Sequence, residues 1–278
     1  MLKDITFGQF FPGGSLLHRT DPRFKIIILL VFLVLVLLAK SAAAFAFVVL
    51  LTAALLLCSR LSWRILLKGL KPLLFILLFT ALINLFATQG HTVLWQWWII
   101  RITREGLVNA VFMLCRLLSL FLGSSVILTY TTSPLDLTDG IERLLSPLRH
   151  LHVPVHDFAM MMTIALRFIP TLIEETDKIM SAQKARGADF DTGNLFQKAR
   201  ALVPLLKAMI PILIPLFYSA IRRAYDLAEA MECRCYNGGA NRTRMKVLRA
   251  KFSDFAFLGF MLACTAAVVL LNGVALPL

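Results

Sequence analysis

Two arginines, Arg186 and Arg234, carry the pattern in this sequence that most directly indicates chemistry. They lie 48 positions apart, and each follows a run of mixed apolar and charged residues. Each is the middle residue of a triplet, and the triplets are Ala185, Arg186 and Gly187, and Cys233, Arg234 and Cys235. A guanidinium group presents a planar fork of donors that pairs with carboxylates or carbonyls. We therefore expect each arginine to bind an acidic groove on another protein.

The runs that precede the two arginines predict two long amphipathic helices. Apolar residues recur with helical period over 167–186 and over 210–231, with charged residues on the opposite side. Gly187 can adopt the left-handed conformation that closes a helix. Cys235 takes the place of that glycine after Arg234, so a left-handed cap there is disfavoured. We therefore expect the second helix to run on to Asn237 and to close at Gly238 or Gly239.

An ordinary helix cap is the competing interpretation of the first triplet. A helix end leaves carbonyl groups unsatisfied and carries partial negative charge, so a cation in the last turn stabilises it without any further function. Two such tips in one polar block, each at the end of a helix with an apolar stripe, favour partner binding instead, because the stripes must be covered.

The composition predicts an all-α, polytopic membrane protein that includes these two amphipathic helices. The chain is 59% hydrophobic and 16% charged, with long uncharged runs near both ends. Runs of this length and apolarity are typical of transmembrane helices. About five spans are predicted, at 26–39, 42–58, 72–87, 106–130 and 255–278. The first run is short and reaches the required length only with its flanking turn.

The chain divides into three predicted segments. Residues 1–130 hold the N-terminal segment and four spans, 131–254 form a polar module with the two long amphipathic helices, and 255–278 form the last span. The central segment contains 17 of the 29 basic and 13 of the 16 acidic residues. A shorter helix is predicted over 135–145, with Ser133 as its cap and Pro134 at its first position.

The basic loop between the second and third spans sets the predicted orientation. It carries Arg60, Arg64, Lys68 and Lys71. The positive-inside rule places such a short loop in the cytoplasm. The N-terminus and 131–254 are then cytoplasmic, and the C-terminus lies outside.

Several classes of function are disfavoured. The net charge of +13 suits contact with anionic lipid better than nucleic acid, because no nucleic-acid motif is present. The five cysteines include one C-x-C without a second ligand pair, so we expect neither a metal site nor a disulfide framework, and no cofactor. The sequence also has no G-x-x-x-x-G-K-[ST] string for binding nucleotide phosphates.

Two further classes of function remain open. A self-contained secondary transporter usually needs carboxylates within the membrane, and no Asp or Glu occurs between Asp21 and Glu105 or after Asp254. A membrane enzyme would have to use the cluster of His150, His152 and His156 near Asp157, whose spacing matches no known metal motif.

Four strings in the chain resemble the transmembrane (T) component of energy-coupling factor transporters. The first is GQFFPGGSLLHRTDPRFK (8–25), which is similar to the family's N-terminal signature, and the second is LTYTTSPLDLTDGIERLLSPL (128–148). The third is VPVHDFAMMMTIALRFIPTLIEETDKIMSAQKARGADF (153–190), which resembles the first coupling helix and its Ala-Arg-Gly motif. The fourth, LIPLFYSAIRRAYDLAEAMECRCYNGG (213–239), resembles the second coupling helix, but here cysteines replace the alanine and glycine of the motif.

The resemblance implies a non-catalytic scaffold in the cell membrane. Its two coupling helices would dock onto a pair of ABC-type ATPases, with Arg186 and Arg234 each entering a groove on one ATPase. A separate small membrane protein, the S component, would bind a vitamin or another micronutrient and be reoriented by ATP-driven movement. Arg116, inside the fourth predicted span, is expected to face the protein interior or to snorkel, and contact with the S component is a hypothesis for it.

Overall fold

The computed structural model describes residues 13–59, 62–87, 93–97, 100–151, 153–187, 202–236 and 250–274. The chain forms two compact units. One comprises residues 8–144 and 247–278 and is called the bundle unit here. The other comprises 145–246 with the first seven residues and is called the helix-pair unit.

The bundle unit consists of helices and one short hairpin, in this chain order: α1 Leu16–Arg19, α2 Pro22–Leu38, α3 Ala42–Ser59, α4 Trp63–Leu70, α5 Leu74–Ala87, β1 Val93–Trp97, β2 Ile100–Thr103, α6 Arg104–Ser124, α7 Pro134–Leu144 and, after the helix-pair unit, α10 Phe252–Val274. α6 continues into a π-helical turn at Ser125–Thr129. The helix-pair unit holds a 3₁₀ turn at Ser146–Leu151, α8 Val155–Ala185 and α9 Leu202–Cys233. The predicted all-α membrane fold is thereby confirmed.

α2 forms the centre of the bundle unit and contacts α6, α7 and α10. Its Ile28, Phe32 and Leu35 are completely buried. α6 approaches closely at Gly123, where a Cβ atom would lie 2.3 Å from Cε1 and Cζ of Phe32. Glycine is therefore required at this position for the two helices to pack at the observed distance.

Four of the described helical segments are long and apolar enough to cross a membrane: Ala42–Ser59, Arg104–Thr129, Val155–Ala185 and Phe252–Gly273. Three of them correspond to the predicted spans 42–58, 106–130 and 255–278. The predicted span 72–87 corresponds to a shorter apolar helix, and all of 26–39 except its last residue, Ala39, falls within the 17 residues of α2. The remaining long segment is α8, which the sequence pattern predicts to be a cytoplasmic helix and which is the least hydrophobic of the four.

Between the third and fourth predicted spans, the chain forms an antiparallel hairpin. β1 pairs with β2 so that Val93 lies opposite Thr103 and Trp97 lies opposite Ile100. Valine, tryptophan and isoleucine are all favoured in strands. The segment carries no helical period, and pairing of the two strands satisfies its backbone groups instead.

Polar side chains from two other helices fasten the turn between α2 and α3. Asn272 of α10 accepts hydrogen bonds from the backbone N–H groups of Lys40 (3.0 Å) and Ser41 (3.1 Å) and donates one to the carbonyl oxygen of Leu38 (2.6 Å). Arg116 Nη2 of α6 donates to the carbonyl oxygen of Ala39 at 2.8 Å. Backbone groups at a helix end must find such partners where water is scarce.

Arg116 also lies over the ring of Phe45, with its Cζ atom 5.0 Å from the ring centroid. The expectation that this arginine faces the protein interior is therefore confirmed. Its contacts are a helix-end carbonyl and an aromatic face, and both offset the cost of a guanidinium in an apolar bundle.

The shorter predicted helix is α7, which begins at Pro134. Ser133 caps it, because its Oγ accepts a hydrogen bond from Asp136 N at 3.1 Å and donates one to Asp136 Oδ2 at 2.7 Å. α7 lies in the same compact unit as α2, although the sequence pattern grouped it with the coupling helices. The division at 130 and 254 stays a prediction.

Candidate functional site

The tip of α8 carries the first predicted arginine. α8 ends at Ala185, and the N–H of Arg186 donates to the carbonyl oxygens of Ala182 (3.2 Å) and Gln183 (3.1 Å). Gly187 has a φ of +86°, and its N–H donates to Lys184 O at 3.0 Å. The predicted left-handed closure at Gly187 is therefore confirmed, and Arg186 is exposed beside it.

The tip of α9 differs from the prediction. α9 ends at Cys233, so the expected continuation to Asn237 is wrong, and Gly238 and Gly239 lie outside the described residues. Cys235 has a φ of +56° and is the one non-glycine residue with positive φ among the residues that the structure describes. Cysteine therefore occupies the left-handed position that the sequence pattern predicted to be disfavoured for it.

Two hydrogen bonds explain why α9 closes at Cys235. The N–H of Cys235 donates to Glu232 O at 2.8 Å, and the N–H of Tyr236 donates to Met231 O at 3.0 Å. These are the paired bonds of a Schellman cap, which satisfy carbonyls that the helix end leaves open. They offset the roughly 1–2 kcal/mol that a left-handed conformation costs a residue with a Cβ atom.

Arg186 and Arg234 consequently occupy equivalent backbone positions. Each arginine directly follows the last helical residue and directly precedes the left-handed residue, and both side chains are exposed. The two tips therefore present a guanidinium in the same local setting, although their flanking residues differ.

The two helices of the pair contact each other along an antiparallel seam. Arg223 Nη2 of α9 donates to Glu175 Oε2 of α8 at 2.8 Å, and Ser219 Oγ donates to the other oxygen of the same carboxylate. Nearer the tip of α8, Gln183 Nε2 donates to Pro211 O at 3.3 Å. From Glu175 to Gln183 the chain advances eight positions along α8, and the contacted residue on α9 moves back eight positions, from Ser219 to Pro211. The two helices therefore run antiparallel.

The antiparallel seam separates the two tips. Glu175 precedes Arg186 by eleven positions, and Arg223 precedes Arg234 by eleven positions. Eleven residues of α-helix span about 16 Å. Because the helices run in opposite directions from this ion pair, the two arginines lie at opposite ends of the pair, on the order of 30 Å apart.

Glu175 and Arg223 were not singled out from the sequence. Their separation of 48 positions equals the separation of Arg186 and Arg234, and this repeated spacing is the signal that could have identified them. The Glu175–Arg223 ion pair therefore lies about midway between the two tips, and the two helices are related by approximate twofold symmetry.

An exposed apolar face runs along α9. Its exposed residues recur at helical spacing and keep between 40% and 73% of their surface accessible: Ile210, Leu213, Ile214, Phe217, Tyr218, Ile221 and Tyr225. The apolar residues predicted for α8, such as Phe168 and Leu172, are partly buried instead. The predicted apolar stripe over 210–231 is confirmed at Leu213, Phe217 and Ile221, and no other described part of the chain covers these side chains.

The helix-pair unit also contains the histidine cluster that suggested a membrane enzyme. His152 lies outside the described residues, and within the described part of the chain no group of three histidine, cysteine or carboxylate side chains could hold a metal ion. Both helices continue through internal prolines, Pro170 in α8 and Pro211 and Pro215 in α9. α8 and α9 are therefore two long, continuous helices that can present binding surfaces.

Comparison with known proteins gives consistent relatives over nearly the whole chain. The family model described as cobalt transport protein, CbiQ, matches residues 13–246. The energy-coupling factor transporter transmembrane protein EcfT of Ruminiclostridium cellulolyticum is 49% identical over 272 residues, covering 98% of either chain. The protein of the same name from Thermosediminibacter oceani is 52% identical over 255 residues (92% of this chain, 93% of the relative), and that from Listeria innocua is 44% identical over 258 residues (93% and 94%).

Proposed function

We propose that the two arginine tips of this chain, which belongs to the CbiQ family of cobalt transport proteins, couple ATP-driven motion to transport. The chain is the membrane-embedded scaffold, the T component, of an energy-coupling factor transporter. The proposal concerns the proteins that bind the exposed surfaces of this chain.

Each arginine tip docks onto one ABC-type ATPase. Arg186 and Arg234 are exposed, sit in equivalent backbone settings and are flanked by Ala185 and Gly187 or by Cys233 and Cys235. A separation on the order of 30 Å along an antiparallel pair suits two similar partners better than one small groove. The chain itself is non-catalytic and takes its energy from these partners, since it has no phosphate-binding loop.

The uncovered apolar face of α9 contributes to the contact with other membrane subunits, including a small S component that binds the substrate. Exposed aromatic and aliphatic residues of this density mark interaction surfaces. Substrate selection belongs to that component, and a vitamin or another micronutrient is the proposed class of cargo.

The proposed topology keeps the N-terminus and 131–254 on the cytoplasmic side. α8 is long enough to cross a membrane, but its second half carries Glu174, Glu175, Asp177 and Lys178. Charged side chains at this density are costly within lipid. An ion pair from Glu175 to α9 and an exposed tip favour a helix that lies outside the hydrocarbon core.

The observation that carries the proposal is the equivalent placement of Arg186 and Arg234. The test is the double variant Arg186→Ala/Arg234→Ala, purified in mild detergent from the native host through a tag on this chain. We expect the wild type to bring two ATPases, identified by mass spectrometry, and the double variant to retain at most a tenth of them.

The matched control is Arg222→Ala, which removes an exposed arginine from the body of α9 rather than from its tip. It should leave the recovered ATPases unchanged. Full recovery of both ATPases with the double variant, together with unchanged hydrolysis by the complex, would remove the two arginines from the proposed docking role.

A self-contained secondary transporter is the second candidate. The absence of any Asp or Glu from 22–104 and from 255–278 in the sequence weighs against coupling to protons or sodium. Reconstitution of the purified chain alone, without ATP, distinguishes the two. Uptake of a solute by the chain alone would establish the carrier and displace the scaffold.

A further inference from the structure

Three buried charged side chains in the bundle unit have no part in the proposed docking. Among the residues that the structure describes, Asp21, Lys25 and Asp254 retain only 6%, 3% and 1% of their surface accessible. Burying a charge is costly unless it is compensated. These residues therefore mark a place where the fold depends on a specific polar arrangement.

Lys25 connects the start of α2 to a turn more than a hundred positions away. Its Nζ donates to the carbonyl oxygen of Thr131 at 2.8 Å and to Thr132 Oγ1 at 3.1 Å. Both threonines are buried, and the turn is itself fixed to the end of α6, since Thr132 N donates to Leu128 O at 3.0 Å. One ammonium thus joins α2 to the segment between α6 and α7.

Three carboxylates attract this ammonium electrostatically, and each lies at or near the first turn of a helix. Asp21 caps α2, Asp136 lies in the first turn of α7, and Asp254 lies in the first turn of α10. Lys25 itself precedes the apolar stretch 26–39; burial lowers its pKa to about 8, while the charges of Asp136, Asp254 and Asp21 act in the opposite direction.

Asp21 Oδ2 and Asp254 Oδ1 are buried and have no hydrogen-bond partner among the described residues. A carboxylate oxygen in this state relies on nearby positive charge to offset its desolvation. Lys25 contributes such charge at the starts of α2 and α10, and Arg23 contributes at α2, where its Nε lies 3.9 Å from Asp21 Oδ1. Loss of the Lys25 charge would therefore affect both helices as well as the turn.

The turn at Thr131 and Thr132 lies between the end of α6 and the start of α7. It leads directly into α7, and α7 ends at Leu144, where the bundle unit gives way to the helix-pair unit. The covalent path from α8 back into the bundle therefore passes through α7 and then through Thr131 and Thr132.

We infer that Lys25 is a positioning residue that holds this turn on α2, so that movement of α8 and α9 reaches α2 and α10 through α7. The inference rests on the proposed function, because it concerns how motion started at the ATPases enters the bundle. It assigns to a buried lysine a role in transmission that is separate from ATPase docking.

Hydrogen–deuterium exchange of the intact complex tests the inference. The complex is purified through a tag on this chain, placed in nanodiscs, and compared without nucleotide and with Mg-ADP and vanadate. In the wild type we expect nucleotide to change exchange in peptides from α8 and α9, from 131–144 and from the first turn of α2.

Two variants carry the comparison. Thr132→Val removes one acceptor of the Lys25 ammonium and keeps the side-chain volume, and Lys25→Met removes the charge. Both should keep the nucleotide response in α8 and α9 and reduce the response in α2 at least threefold. If Lys25→Met does not assemble, Thr132→Val alone decides.

Thr132→Ser, which restores the hydroxyl, should return the response in α2 to its wild-type size, a rescue that a loss of packing alone would not give. Lys40→Met removes an exposed lysine beyond the other end of α2 and should leave every response unchanged.

A full α2 response in Thr132→Val would overturn the inference, as would a wild-type complex that responds in α8 and α9 but not in α2. Either result leaves the docking role of Arg186 and Arg234 intact. A complex that contains no ATPase and shows no response in α8 or α9 would contradict the proposed function, and the inference would fall with it.

Discussion

Arg223 Nη2 lies 2.8 Å from Glu175 Oε2 and joins α9 to α8 eleven residues before the tip of each helix. The pair thus holds the two antiparallel helices together about midway between their arginine tips. A change in this contact alters how α8 and α9 are held relative to each other without touching either exposed arginine.

We expect this ion pair to contribute little to stability. The side chains of Arg223 and Glu175 keep 38% and 21% of their surface accessible, and exposed pairs of this kind contribute about 0.2–1 kcal/mol. A double-mutant cycle with Glu175→Gln and Arg223→Gln, followed by thermal unfolding in detergent, should give a coupling energy in that range. A value of several kcal/mol would mean that the pair is far more shielded from solvent than its accessibility indicates.

Cys235→Gly should stabilise the end of α9. Glycine removes the cost of a left-handed conformation, so we expect the last turn to gain up to about 1 kcal/mol. Amide exchange of the residues at 231–236 measures this gain directly, and it should slow severalfold. Cys235→Val should speed exchange, because a β-branched residue is poorly suited to positive φ; equal exchange in all three proteins would argue against strain at this cap.

Gly123→Ala should disrupt the packing of α6 on α2. A methyl group would lie 2.3 Å from two carbons of Phe32, and overpacking of this kind costs about 1–3 kcal/mol. The midpoint of thermal unfolding should fall, and adding Phe32→Leu should recover part of the loss. The matched control is Gly259→Ala in α10, where a Cβ atom would have no atom within 4 Å and the midpoint should not fall.

Asn272→Leu should loosen the turn between α2 and α3. It leaves Leu38 O, Lys40 N and Ser41 N without the side chain that pairs with them, and because these bonds are exposed or only partly buried we expect a loss of about 0.5–1.5 kcal/mol. Asn84→Leu provides the comparison, because Asn84 makes a single side-chain bond, to Thr80 O within its own helix. Equal losses of thermal stability in the two variants would show that the turn does not depend on Asn272.

Much of the architecture could be predicted because it depends on composition along short stretches of chain. Runs of apolar residues fix where helices can cross a membrane, whatever their neighbours are. The start of α7 at Ser133 and Pro134 and the closure of α8 at Gly187 also follow from residues adjacent in sequence. Arg186 and Arg234 could be identified at this level, since a helix end and its next few residues determine that they are exposed.

Other features depend on contacts that local spacing does not encode. Cysteine at position 235 was expected to disfavour a left-handed cap, but the hydrogen bonds from Cys235 and Tyr236 back into α9 outweigh its intrinsic preference. The hairpin of β1 with β2 was missed for a related reason, because strand pairing satisfies backbone groups that no helical pattern accounted for.

The sequence by itself determined that this chain is a membrane protein with two arginine-tipped amphipathic helices, because hydrophobic length and helical period are properties of continuous segments. Only the tertiary structure decided that Glu175 meets Arg223, that Arg116 binds Ala39, and that Lys25 holds a turn 106 positions away. Each of these contacts satisfies a charge or a backbone group through a distant partner. Such pairings are selected by packing and desolvation in the assembled fold, so no local pattern could specify them.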